Sequence, residues 1–404
     1  MSGSNQDFSP KDWLGQSAIV DLGPTIAGVE VWGEQTNQAF RKTLFDWYDR
    51  EGRHLPWRES KDPYRIWISE IMLQQTQVNT VIPYYQRFLQ AFPTVEDLAA
   101  AEEDDLLKLW AGLGYYSRAK NLHRAAQEIA NDYGGQFPRT AKELKKLSGI
   151  GPYTAGAIAS IAFGQAVPAI DGNAMRVFSR LFTINADISR QKNHAIFREV
   201  VTYVMGNERP GDFNQALMDL GSSYETAKKP LSDISPIKDF NLATLTGTEL
   251  DYPVKLSKTK SKTIHYQALL LENSQGQYLI EKRPSQGLLA NLWTVPLFEV
   301  ADQGASDQQE EEERQPYQNL VAEAEAVYDV RPVVMKKSIG HVRHVFSHRL
   351  WEIDLYYAKL SPAAEKRWQD QEDSDWVFSH DLNQHAYPTV QMKIWQGLKD
   401  YLAE

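Results

Sequence analysis

The apolar residues change their spacing part-way along this chain, and a chain that does so cannot be one uniform fold. From Phe40, Leu44 and Trp47 onward the rhythm is helical, and it recurs around Ile129, Leu144, Ile158 and Leu217 as far as about residue 240. After the polar stretch TGTELDYPVKLSKTKSK, Thr246 to Lys262, it becomes strand-like: TIHYQALLLE, NSQG and QYLIEKR predict a strand, a turn and a strand, and HVFSHRLWEIDLYYA a further strand pair or one long strand. Helices over Tyr317–Tyr328 and from Thr389 complete that part. The chain is therefore expected to be multidomain. An N-terminal extension covers 1–36, an all-α domain 37–245, a linker 246–262 and an α+β domain 263–404. Within the first domain, Thr94 and Asp97 predict a capping box, Pro83 and Pro93 helix boundaries, and Gly134-Gly135 a helix end. The run ADQGASDQQEEEERQ, 301–315, is expected to be a solvated loop without chemistry.

No apolar stretch reaches 18 residues, so no membrane span is expected. The first residues, MSGSNQDFSPKDW, lack a basic segment followed by an apolar one, so a cytoplasmic protein is expected. A net charge of −10 argues at first against a polyanionic partner. The charge is uneven, however. Residues 37–240 carry 25 basic and 24 acidic side chains, so the acidity lies mostly outside the helical segment. The sequence contains no cysteine, which excludes disulfides, cysteine nucleophiles and thiolate-held metals or clusters.

Three stretches carry chemistry. Leu147-Ser148-Gly149-Ile150-Gly151-Pro152-Tyr153 has an apolar helix end, a Gly-Ile-Gly hairpin, and Pro at the first position of a new helix. Gly149 and Gly151 would let the backbone approach a phosphate, gripping a nucleic-acid strand without reading bases. Alone, such a turn reads more simply as a plain helical turn with glycine caps. In AIDGNAMRVFSR, Asp171 stands at a helix mouth, where by itself it is an ordinary N-cap. The third stretch is Leu55-Pro56-Trp57-Arg58 followed by WISEIMLQQTQ. Here Glu70 lies among Trp67, Ile71, Met72 and Leu73, a setting that would raise a carboxyl pKa and suit a proton donor, unless the residue is simply an exposed helical Glu.

Taken together, LPWR, SEIMLQQTQV, WAGLGYYSRAKNL, LSGIGPYTAGAI, AIDGNAMRVFSR and GDFNQALMDLG, in that order, resemble the adenine DNA glycosylases of the MutY type, within the helix-hairpin-helix base-excision glycosylases. The resemblance spans about residues 37–400. It implies that Glu70 is the general acid and Asp171 the carboxylate that stabilises an oxocarbenium ion, with Tyr153 and Asn173 beside them. It places DNA contacts on Trp57, Arg58, Gln75, Thr76, Leu113, Gly114, Tyr115 and Gln215. Gln75 and Tyr115 would wedge into the duplex, and Gln215 would meet the flipped adenine. Related bifunctional enzymes carry a Schiff-base lysine where Tyr153 stands, so little or no lyase activity is expected. The expected partner is double-stranded DNA with adenine opposite 8-oxoguanine or guanine, and the expected state is a monomer. The C-terminal part resembles a Nudix-like module whose lesion-reading loop falls on Phe346, Ser347 and His348. Its helix NLVAEAEAVYDV keeps only Glu323 and Glu325 of a Mg2+-binding signature, so pyrophosphate hydrolysis is not expected.

The departure from the family concerns a cofactor. Most members hold a [4Fe-4S] cluster through four cysteines; those places here are Glu225, Ser232, Ser235 and Asn241, so no cluster is expected and the loop 222–241 must be held by other means. The spacing of His341, His344 and His348 matches no zinc helix or finger, so no metal is expected there. The alternatives are a glycosylase for another base, a DNA-binding mismatch sensor without catalysis, and a nucleotide hydrolase centred on the C-terminal part.

Overall fold

A computed structural model of the chain describes residues 21–256, 262–300, 316–346, 348–369, 371 and 373–403. It divides into two compact units. One comprises the described residues up to Ala100 with those of 121–256; the other joins Ala101–Lys120 to the described residues from 262 onward.

The first unit is a helical body led by a small hairpin. Strands β1 (Leu22–Ile26) and β2 (Val29–Trp32) pair antiparallel ahead of α1 (Glu34–Glu51), and the extension expected over 1–36 thus contributes structure from residue 21. Trp32 is why the hairpin belongs to the body: its fully buried ring lies 4.4 Å from that of Phe182 and 5.1 Å from Phe40. Then come α2 (Pro63–Leu73), α3 (Val78–Ala91) and the short α4 (Val95–Ala99), which opens on the expected Thr94–Asp97 capping box. Pro83 is not at a boundary but inside α3, past its first turn, where the missing N–H forfeits one backbone hydrogen bond. The remaining helices are α6 (Ser117–Asp132), whose first turn falls in the other unit, α7 (Ala141–Leu144), α8 (Pro152–Phe163), α9 (Gly172–Leu181), α10 (His194–Met205), α11 (Pro210–Ser223) and α12 (Leu242–Thr246).

In the second unit, α5 (Glu103–Trp110) accompanies a mixed sheet. The strands are β3 (Lys262–Glu272), β4 (Tyr278–Lys282), β5 (Trp293–Thr294), β6 (Leu297–Glu299), β7 (Val333–Val334), β8 (Gly340–Val345), β9 (Arg349–Lys359) and β10 (Ser374–Val377). The main path runs β10-β4-β3-β9-β7, with β3 and β9 parallel along eleven residue pairs. The run Ala268-Leu269-Leu270-Leu271 in β3 explains the architecture, because it is apolar on both faces of the pleat and needs cover on both. Ala268 and Leu270 pack with Ile394 and Leu398 of α15 (Thr389–Ala403); Leu269 and Leu271 pack with Leu320 and Ala324 of α13 (Pro316–Tyr328). The segment expected to be one strand or two forms both β8 and β9. The acidic run 301–315 lies outside the described residues. Among the described residues no helix is long and apolar enough to cross a membrane.

Candidate active site

The site of the first unit is a cleft of ≈ 720 Å³ bordered by Trp57, Arg58, Glu70, Thr76, Tyr153, Asp171, Asn173 and Gln215. Residues more than 150 positions apart in sequence thus meet at one cavity, and all four expected catalytic residues line it.

Glu70 is delivered by α2, in which all but three of eleven residues are buried, so the helix runs through the interior with no solvent face wide enough for a carboxylate. Glu70 is 5% exposed, and its Oε2 has no partner in the protein. Burial raises its pKa from 4.5 to about 7, while the Tyr153 hydroxyl pulls the other way and the nearby Asp171 adds to the rise. Asp171 caps α9, accepting from Ala174 N at 2.8 Å and from Asn173 Nδ2 at 3.0 Å. Burial raises its pKa as well, opposed by those two donors and by Arg176. The two carboxyls are therefore differently equipped. Asp171 has the donors of a helix N-terminus to support its charge; Glu70 has an unpaired oxygen and a proton available near neutrality.

Arg176, which the sequence reading passed over, sets the geometry of Asn173. Its Nη2 donates to Asn173 Oδ1 at 2.6 Å and to Gly221 O at 2.7 Å, and its Nε donates to Glu225 O at 2.5 Å. With Oδ1 so engaged, the amide can only present Nδ2 to Asp171. Arg176 follows Asn173 by three residues, on the same helix face, which was the available signal. Gly221 is required beside it, since a Cβ there would come within 2.8 Å of Asn173 Cβ.

Two expected DNA contacts turn inward. Trp57 is buried, with its ring edge-on to Tyr85 at 5.4 Å. Arg58 places Nη1 and Nη2 on the two oxygens of Asp219 at 2.7 and 2.9 Å, and Arg53 joins the same carboxylate. Despite burial, these hydrogen bonds hold Asp219 below the ordinary carboxylate range. Arg58 therefore forms a fixed cationic wall of the cleft and does not extend as a side chain free to find a phosphate.

The hairpin before α8 forms as its residues dictate. Leu147 and Ile150 are buried, Gly149 is left-handed (φ 72°), Gly151 caps α8 in extended conformation, and Pro152 takes the first helical position. A Cβ at Gly149 would meet Asn121 Cβ at 2.6 Å. Glu128 holds the turn from behind through Ser148 N at 2.8 Å. Gln75, expected to wedge into a duplex, has φ 58°, a left-handed geometry that a non-glycine residue adopts only when its surroundings impose it.

In the second unit, Gly114, Tyr115, Phe346 and His348 line a cleft of ≈ 580 Å³, so two expected contact segments, some 230 positions apart, converge there. Tyr115 is 45% exposed, has φ 49°, and lies beneath the Arg118 guanidinium. Leu113 is buried, and Ser347 lies outside the described residues. Of the three histidines, His341 bridges Asp354 and Glu352 at 2.9 and 2.7 Å, and His344 packs edge-on to Phe346 with its pKa lowered by burial to about 4. Among the described residues no group of three metal-ligating side chains forms. Glu323 and Glu325 are exposed on α13.

The four positions that hold cysteines in most of the resembled family also converge. Glu225 is fully buried, its Oε2 receiving Arg180 Nη1 at 2.9 Å and Ser232 Oγ at 3.1 Å, and its Oε1 receiving Asn241 Nδ2 at 3.1 Å. Arg180, fully buried as well, spends its other nitrogens on the carbonyls of Glu249, Tyr252 and Thr226. Ser235 is buried, and its N–H bonds to Ser232 O.

Comparison with known proteins assigns both units. Residues 68–202 match the model of the HhH-GPD superfamily base excision DNA repair protein, and residues 267–397 match that of the NUDIX domain. Over 380 aligned residues the chain is 35% identical to the adenine DNA glycosylase of Rattus norvegicus, a match that takes in 81% of this chain and 71% of the rat protein. The chain belongs to the adenine DNA glycosylase family. The family's member from Arabidopsis thaliana is also 35% identical, over 85% of this chain, although the chain spans only 61% of that relative's length. A solved structure titled as that of a thermostable thymine-DNA glycosylase is similar over 52% of this chain and 97% of its own, at 28% identity and a TM-score of 0.48. In fold the chain is thus a helical helix-hairpin-helix glycosylase domain followed by a Nudix-like domain with a mixed sheet.

Proposed function

We propose that the protein binds duplex DNA, takes adenine out of the stack into the cleft of the first unit, and hydrolyses its bond to deoxyribose, leaving an abasic site for base excision repair. The observation that carries this reading is the pairing of two unlike carboxyls in one cavity. Glu70 is buried, protonated near neutrality and has an oxygen without a partner; Asp171 is supported by the N-terminus of α9. Adenine leaves poorly until a ring nitrogen is protonated, so Glu70 gives up its proton as the C1′–N bond breaks and the electron pair departs with the base. Asp171 faces the cation left on the sugar. Water then adds at C1′ and yields its proton to a carboxylate. Asn173, held by Arg176, keeps Asp171 oriented, and Gln215 at the wall contacts the flipped base.

Tyr153 supplies no amine for a Schiff base, so strand cleavage does not accompany base release. Preference for adenine opposite 8-oxoguanine is assigned to the cleft of the second unit, through Tyr115, Phe346 and His348, and to Ser347, which stands between the last two in the sequence. The loop 222–241 holds no iron-sulfur cluster: its four converging positions offer oxygen and nitrogen atoms, three of them already hydrogen-bonded around the Arg180–Glu225 pair. Adenine release from a defined duplex, with strand scission scored before and after alkali, tests the reading. Release with scission only after alkali is expected. Scission before alkali would refute the monofunctional assignment, and an absence of release with retained mismatch-selective binding would refute the enzymatic one. Ser347→Ala is expected to erode the preference for 8-oxoguanine:A over G:A; equal loss on both would refute that part.

A further inference from the structure

Bordered in part by Tyr153, the first unit carries a second and smaller cleft of ≈ 310 Å³. Lys145 and Tyr153 border it from the hairpin side, Pro168 and Ile170 from the connector leading to Asp171, and His194 and Arg198 from α10. No acidic side chain lines it. Lys145 and Arg198 are exposed, and neither has an ion pair among the described residues. His194 and Arg198 stand four residues apart and so share one face of α10. The cleft therefore has cations on two banks and an apolar surface from Pro168 and Ile170 between them. That combination suits a sugar-phosphate better than a free ion, which would leave the apolar surface uncovered.

Tyr153 lines both this cleft and the excision cavity. A DNA strand carries a phosphate for each nucleotide, about 3.4 Å apart along the helix axis. Because the two clefts share Tyr153, a strand whose nucleotide is drawn into the cavity has a neighbouring linkage close to the second cleft.

We propose that this cleft is a phosphodiester clamp, in which Lys145 from the hairpin and Arg198 from α10 hold one backbone linkage of the strand bearing the target nucleotide. The inference rests on the reading above that DNA is the substrate, and adds α10 to the DNA-binding surface.

The test uses the full chain and a fluorescent duplex with adenine opposite 8-oxoguanine, titrated from about 50 to about 200 mM salt. Arg198→Gln is expected to lower the slope of log affinity against log salt by about one, and to weaken mismatched and fully paired duplexes by the same factor. Arg198→Lys should restore the slope. Neutral methylphosphonate linkages are then placed singly beside the target nucleotide. One of them should weaken the wild type without weakening Arg198→Gln further. An unchanged slope in Arg198→Gln, or losses that add at every linkage, overturns the clamp while leaving the glycosylase reading intact. Failure of the wild type to bind duplex DNA in a salt-dependent way would instead overturn the reading on which it rests.

Discussion

The first unit buries two glutamates and treats them in opposite ways. Glu225 is surrounded by Arg180, Ser232 and Asn241, with both oxygens engaged and no solvent contact. Glu70 is nearly as buried, in a helix of Trp, Ile and Met, and keeps one oxygen unpartnered with its pKa pushed up to about 7. A buried carboxylate with both oxygens met by donors behaves as part of the framework. One left short of partners is a strained group that persists because chemistry needs it. The contrast separates structure from function more sharply than either residue's position in the sequence.

The comparison breaks if the two residues can be exchanged in effect. Glu70→Gln keeps the shape and removes the proton donor, so single-turnover adenine release should fall by about 10²- to 10⁴-fold. The stability of that variant should move the other way. A folded-state pKa of about 7 against 4.5 unfolded means the folded protein holds the extra proton between those values, so Glu70 makes stability decline as pH rises through that window. Glu70→Gln should remove this decline and melt no lower than wild type at pH 8. Glu225→Ala should do the reverse, costing about 3–5 kcal/mol in chemical denaturation because Arg180 is left charged and unpaired in the interior. Any adenine-release defect there should follow the unfolded fraction. A smaller effect sharpens the link between the two regions. Arg176→Gln loses the charged hydrogen bonds to Asn173 Oδ1 and to the Glu225 carbonyl, worth about 1.5–3 kcal/mol each. Release should therefore slow by about ten- to a hundredfold while duplex binding is kept; a variant that loses binding and rate in equal measure would contradict the positioning role.

The sequence made the helical and sheet parts legible because their apolar periods differ, and it marked the Thr94 cap, the glycine hairpin and the cap at Asp171 through local chemistry. It did not reveal the β1–β2 hairpin, which is anchored by Val31 and Trp32, the latter finding its aromatic partners at Phe40, Phe182 and Phe240 only once the chain is folded. Pro83 misled for a related reason, since the helix around it is sustained by packing of Val81, Tyr85 and Phe88. Within the site, Glu70 was ambiguous because α2 gives no polar face to read. The inward turn of Arg58 was invisible because Asp219 is 161 residues away. The partners of Glu225 likewise lie 45 residues before it and 7 and 16 after it, a pattern no local motif encodes.

The central claim is that Glu70, held protonated by its own burial, delivers the proton that releases adenine. Single-turnover adenine release at saturating protein, followed from about pH 5 to about pH 9, tests it most directly. A rate that is level at low pH and falls about tenfold per unit once pH passes about 7, with that inflection absent from the residual rate of Glu70→Gln, is the predicted result. The same inflection in Glu70→Gln, or wild-type release that rises through neutrality, would contradict it.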